Sequence, residues 1–135
     1  MAAGKNDDGL EDAAIVVSGG RGLRDRENYG LIRELARALG GMPGASRAIV
    51  DESWAQPSEQ VGLTGKIVTP AVYFAVGISG ASQHIAGCSN ARTIVAINTD
   101  PDAPIFRYAH LGIVDDCLDI LPELIKLANA RAGSR

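Results

Sequence analysis

No catalytic set stands out in this chain. It has no serine in a nucleophile elbow and no Cys–His pair at suggestive spacing. It has no HExxH, and no GxxxxGK followed by Ser or Thr. Those absences favour a domain that holds a ligand over one that performs acid–base chemistry itself. Cysteine is scarce: Cys88 and Cys117 are the two present, too few for a disulfide framework or a metal motif. Cys88 is expected near a helix end and Cys117 near a helix start, as small buried or half-buried thiols. Every apolar run falls far short of the ~20 residues of a membrane helix, so no membrane insertion is expected. There is no basic surplus either. Thirteen Lys and Arg stand against 16 Asp and Glu, a net charge of -3, and nucleic-acid binding usually needs a strong basic excess. Met1 to Glu11 is polar, with neither an apolar signal core nor an Arg-rich amphipathic pattern, so no targeting peptide is expected there.

What the chain does have is glycine, 16 of 135 residues, well above the average of about 7%. The glycines cluster at the ends of apolar runs, where a backbone must turn tightly or let a ligand come close. The length fits one domain, and the apolar fraction of 46% is that of a globular protein.

Residues 1–13 read as a disordered lead. Ala14-Ile15-Val16-Val17 is a short buried strand closed by Ser18-Gly19-Gly20. Residues 27–39 form an amphipathic helix, with Leu31, Ile32, Leu35, Ala36 and Leu39 on one face and Gly40-Gly41 as its stop. Residues 46–50 and 66–69 are expected as a second and third strand, and Val72 to Ile78 as a fourth, buried on both faces. Ser79 is expected to cap a helix running to about Ala86. Residues 93–97 and 111–114 are a fifth and sixth strand. Asp115-Asp116 starts a helical tail that Pro122 restarts. Short apolar strands alternating with helices imply a parallel sheet covered on both faces. In such sheets ligands bind at the carboxyl ends of the strands.

Glycine-rich or small polar segments follow three of those ends. Ile78-Ser79-Gly80-Ala81 opens a helix, where free N–H groups and small side chains suit an anion, usually a phosphate. An ordinary strand-to-helix turn would read the same way. Gln83 and His84 sit on the first turns of that helix. Arg21, among Gly19, Gly20 and Gly22, presents a cation on a backbone with no bulk around it, although a glycine turn with a solvated Arg is an equal reading. Arg47, Asn98 and Asp116 each have plain readings as an ion-pair, turn and cap residue. Gln60 to Gly65 alone is an unremarkable turn.

Together these segments resemble the FAD-binding domain of the electron transfer flavoprotein alpha subunit. The matching stretches are Val16 to Leu23, Gly44 to Arg47, Gln60 to Lys66, Ala75 to His84, Val95 to Asn98, Asp100-Pro101 and Ala103 to Phe106. They occur in the family's order and near its spacing, covering about residues 13–128. The resemblance implies an α/β, Rossmann-like three-layer parallel sheet of the deoxyhypusine-synthase NAD/FAD-binding type, with residues 14–131 as the FAD-binding domain. It implies that Arg21 and Ser79-Gly80-Ala81 face the diphosphate and ribityl part. Ser46, Val61, Gly62, Leu63 and Thr64 then approach the flavin and its linker, with Thr64 near N5. Arg47 lies over the isoalloxazine. Ser82 belongs to the same cofactor-binding run, and Gln83 and His84 approach the flavin edge. Asn98 and Asp116, with Cys117, hold the adenosine end. A cation such as Arg47 lowers the energy of the negative charge a flavin gains on reduction.

Two positions depart from the family, which usually has Gln where Leu63 stands and often an apolar residue where Ser82 stands. The family's alpha subunit also has a domain ahead of this one and pairs with a beta subunit. The implied role is an electron carrier rather than a substrate-converting enzyme. It would take electrons from flavoprotein dehydrogenases, such as those acting on acyl-CoA, in the bacterial cytoplasm or the mitochondrial matrix. Two other readings keep the fold: a domain using FAD or another adenine nucleotide structurally, and an NAD-dependent transferase.

Overall fold

The computed structural model describes residues 9–133. Five strands form one all-parallel sheet: β1 (Ile15–Gly19), β2 (Met42–Ala45), β3 (Val72–Val76), β4 (Thr93–Asn98) and β5 (Leu111–Val114), in the order β2-β1-β3-β4-β5. Every neighbouring pair is parallel. Among the described residues four α-helices accompany them: α1 (Tyr29–Leu39), α2 (Arg47–Asp51), α3 (Ser82–Cys88) and α4 (Cys117–Gly133). The three-layer α/β class expected from the sequence is the one observed.

Alternation along the strands divides the core. Val17, Val76 and Ile97 face α1 and α4, where Ile32, Leu35, Leu121 and Ile125 pack against them. Val16, Tyr73, Ala75, Ile94 and Ala96 face the other way, onto Ile85 and Cys88 of α3 and Ile105. Strands buried on both faces read as continuous apolar runs, which is why β1, β3 and β4 are visible in the sequence. On α1 the fully buried side chains are Tyr29, Ile32, Leu35 and Ala36, with Leu31 and Leu39 partly covered.

Several expected elements differ. Residues 46–50 are not a strand. The strand ends at Ala45, and Ser46 leads into α2, whose Ile49 is buried in the core. The strand itself, Met42-Pro43-Gly44-Ala45, has poor strand residues, but β2 is an edge, where proline is tolerated. Residues 66–69 are no strand either. β1 and β4 already occupy both sides of β3, so Val68 donates instead to Gly87 of α3 at 2.8 Å. The sheet therefore has five strands rather than six. Pro122 restarts nothing and lies inside a continuous α4. It leaves the Leu118 carbonyl without its helical donor, and packing of Leu121 and Ile125 holds the helix. Of the expected lead, residues 1–8 fall outside the described residues. Leu10–Asp12 form a 3-10 turn with Leu10 buried in the core. Among the described residues no helix is long and apolar enough to cross a membrane.

Candidate functional site

The chain passes from β1 to β2 on one side of the sheet and reaches β3 on the other. The carboxyl ends of β1 and β3 therefore diverge, and an open crevice forms between their loops. A cavity of about 490 Å³ lies there, within the range of about 300–1,000 Å³ usual for ligand sites. The turn after β1 supplies Arg21 and Gly22, and the loop after β3 supplies Gly77 to Ala81.

Gly77 holds a left-handed backbone, φ 66°, and a Cβ there would stand 2.8 Å from the Cα of Gly22. Gly80 is likewise left-handed, φ 92°, and a Cβ would meet the Ile105 amide nitrogen at 2.5 Å. Ile105 in turn donates to the Ser79 carbonyl at 2.8 Å. These close approaches leave no room for a side chain at Gly77 or Gly80. The helix expected to start at Ser79 starts at Ser82, with Ala81 in the cap position. The stretch Ser79-Gly80-Ala81 is therefore an open loop. Its three N–H groups make no hydrogen bond within the described residues, and all three residues line the cavity.

The opposite wall comes from residues 46–48 and 60–64. Val61 donates to Ala45 at 2.9 Å, Gly62 to Lys66 at 3.1 Å and Leu63 to Gln83 at 2.8 Å. Those bonds pin the loop to β2 and α3. Thr64 Oγ1 accepts from Gln60 at 3.2 Å and keeps its own proton to donate. Leu63 is 59% exposed, a large apolar side chain uncovered at the cavity.

Two guanidiniums stand at the cavity. Arg21 pairs with Glu52 at 3.1 Å and Arg47 with Asp51 at 3.6 Å; both arginines are largely solvated, so these pairs hold them loosely. Gln83 and His84 complete the wall. His84 is buried, and that burial pushes its imidazole down to about 4. Ser46 Oγ and His84 Nδ1 are buried without a hydrogen-bond partner. Ser82 is solvent-exposed on α3 and lies outside this wall.

A smaller cavity of about 110 Å³ adjoins the first, and Gly22, Gly77 and Asn98 line both. Asp116 and Cys117 belong to the smaller one. Asn98 Nδ2 donates to the Ile78 carbonyl at 3.0 Å and its Oδ1 accepts from Asp100 at 2.9 Å, tying the ends of β3 and β4. Asp116 Oδ1 accepts from the Leu118 amide at 2.9 Å, capping α4, while Oδ2 is held by Arg24. The Cys117 thiol donates to the Gly22 carbonyl at 3.4 Å.

Fifteen of the 16 residues singled out from the sequence thus line one or other cavity, with Ser82 the exception. The lining residues not among those sixteen are Gly22, Arg24, Ala48, Gln60, Gly77, Ile78, Ile97 and Thr99. Arg24 has a left-handed backbone, φ 72°, a conformation costly for a side chain of its size. Among the described residues no group of three or more His, Cys, Asp or Glu could hold a metal ion.

An all-parallel sheet with two adjoining cavities at its switch point defines an α/β domain of the kind that takes ligands at its strand ends. Comparison with known proteins makes the class particular. Residues 9–89 match the family described as "Electron transfer flavoprotein FAD-binding domain". The chain is 56% identical over 122 residues to the electron transfer flavoprotein subunit alpha of Thermoanaerobacterium thermosaccharolyticum, covering 90% of this chain and 37% of that protein. It is 52% identical over 124 residues to protein FixB of Azotobacter vinelandii, covering 92% and 34%. It is 54% identical over 115 residues to the mitochondrial subunit alpha of Dictyostelium discoideum, covering 85% and 32%. The chain belongs to the electron transfer flavoprotein alpha-subunit family, and it spans about a third of the length of these relatives.

Proposed function

We propose that this chain holds FAD across the carboxyl ends of β1, β3 and β4 and serves there as the electron-carrying part of an electron transfer flavoprotein. The observation that carries the reading is a set of unused polar groups on residues that line one cavity. Ser46 Oγ and His84 Nδ1 are buried and unpartnered, and the N–H groups of residues 79–81 are free. Buried polar atoms without partners are costly, and a polar ligand in this cavity would satisfy them. The residues present fit the cofactor's chemistry. The Ser79–Ala81 amides and Arg21 would take the diphosphate. Ser46, Arg47, Val61 to Thr64, Gln83 and His84 would surround the ring, with Leu63 covered by it. The smaller cavity would take the adenosine end between Asn98, Asp116 and Cys117. When bound, FAD supplies redox chemistry that accepts electrons in one- or two-electron steps.

The chain's own residues bind, orient and tune. The pinned 61–64 loop would shield one side of a bound ring, and Thr64 would offer it a hydroxyl proton. Arg47 supplies a positive charge beside the place where negative charge develops on reduction. A beta subunit would be the partner, with flavoprotein dehydrogenases, such as those acting on acyl-CoA, as electron donors.

The test is reconstitution of the purified chain with FAD, followed by a reductive titration under absorbance. The expected result is a yellow protein with shifted flavin bands that binds FAD more tightly than FMN or riboflavin. A colourless protein that takes up no FAD overturns the reading. A chain that instead binds ADP and FAD equally, with unshifted flavin bands, points to structural use of an adenine nucleotide.

A further inference from the structure

Tyr73 and His84 form a buried pair to which the reading above assigns no joint role. Tyr73 is the second residue of β3, fully buried, with Val16 of β1 and Ile94 of β4 beside it in register. Its hydroxyl oxygen is 2.7 Å from Nε2 of His84. The two rings are 6.0 Å apart and tilted by 47°. The other ring nitrogen, Nδ1, is buried and makes no hydrogen bond of normal geometry, although the Val61 backbone is close enough to favour a protonated ring. His84 lines the main cavity, and the bond from Leu63 to Gln83 fixes the loop against its helix.

Both partners are neutral in the folded chain near pH 7. Burial raises the Tyr73 phenol well above its ordinary range and lowers the His84 imidazole to about 4. Between a neutral phenol and a neutral imidazole the direction of the hydrogen bond is set by chemistry. The phenol is the stronger acid, and the unprotonated ring nitrogen is the stronger base. With the O–H donating to Nε2, and Ser18 the other side chain beside the phenol, the single ring proton would sit on Nδ1.

We propose that Tyr73 is a positioning residue, whose hydroxyl fixes His84 as the Nδ1–H tautomer and leaves that N–H as the donor the imidazole offers at the cavity. Only the identity of the acceptor, an oxygen or nitrogen of a bound flavin, rests on the reading of function above. The tautomer belongs to the chain itself.

The second histidine provides an internal reference. His110 Nδ1 accepts from the Ile94 amide at 2.9 Å, so in its neutral form His110 carries its proton on Nε2. Long-range proton–nitrogen NMR of the full chain without added flavin reads both rings, with His84→Gln assigning the signals. The expected spectrum at pH 7 shows His84 as Nδ1–H. In Tyr73→Phe the His84 pattern moves to Nε2–H or to a mixture of tautomers, and FAD affinity by fluorescence quenching falls by about five-fold, the worth of one neutral hydrogen bond. His110 stays unchanged and reports an intact fold. A wild-type His84 that is Nε2–H or protonated overturns the proposal, even if Tyr73→Phe does not fold. So does a folded Tyr73→Phe chain that keeps Nδ1–H. If the wild type shows Nδ1–H and the phenylalanine variant loses it, but neither binds FAD, the positioning role stands and the flavin reading falls.

Discussion

The amide of Gly22 donates to the carbonyl of Gly77 at 2.9 Å, joining the loops after β1 and β3 backbone to backbone. No side chain fits between them. An alanine at 77 would bear a strained φ of 66° and would press against Gly22. Gly77→Ala is expected to destabilise the fold by about 2 kcal/mol, lowering Tm by several degrees. It is expected to weaken FAD binding more than ten-fold, because the cavity wall must move. Thermal melts and a fluorescence titration check the two parts separately, and tight FAD binding in this variant would contradict the placement of the cofactor.

Arg47 stands at the cavity with its charge held loosely by Asp51. Arg47→Ala is expected to lower the flavin potential by tens of millivolts, the scale of one partly solvated charge a few ångströms away. The stability change should be small, since exposed pairs contribute about 0–1 kcal/mol. A spectroelectrochemical titration measures the potential, and an unchanged value argues against the role.

His84 makes stability depend on acid. Its folded value of about 4 lies below its ordinary 6.5 because burial disfavours the charge. As pH falls below about 6.5 the unfolded chain takes up a proton that the folded chain refuses, so stability declines toward pH 4. The decline should reach on the order of 2 kcal/mol by pH 4.5. Urea melts of wild type and His84→Gln at pH 7 and 4.5 test this, and equal slopes for the two would rule it out.

Burial pushes the Cys88 thiol up to about 12 and the Cys117 thiol up to about 11. Both should resist thiol reagents at pH 7.5 in the native chain and react fully in denaturant. Cys117 forms part of the smaller cavity, so FAD should slow its residual labelling and leave Cys88 unaffected. Above pH 9 the unfolded thiols ionise while the folded ones do not, and stability should fall.

Much of the site was legible because it is made of local segments. Residues 79–81 show as a small, glycine-rich run between apolar elements, whereas residues 61–64, an unremarkable turn by themselves, were marked by the family resemblance alone; both runs line the cavity. Ser82 was grouped with them by position in the run, yet the helix starts there and turns it outward to solvent. Ser46 and Arg47 line the cavity, but their element was misread, because Ile49 and Val50 have strand propensity and the core used Ile49 in a helix instead. Local preference loses where an apolar side chain can be buried another way.

By itself the sequence determined the alternation of buried runs and amphipathic helices, and with it the parallel sheet and the glycine turns at the strand ends. Those depend on neighbours a few residues apart. What joins distant segments was decided only by the tertiary structure. Gly22 meets Gly77, Arg24 holds Asp116, and Arg21 pairs with Glu52. Tyr73, alternating toward α3 in a strand buried on both faces, meets His84. Such contacts leave no periodic trace, because they are set by strand order and by which face each side chain takes once the sheet has closed around its core.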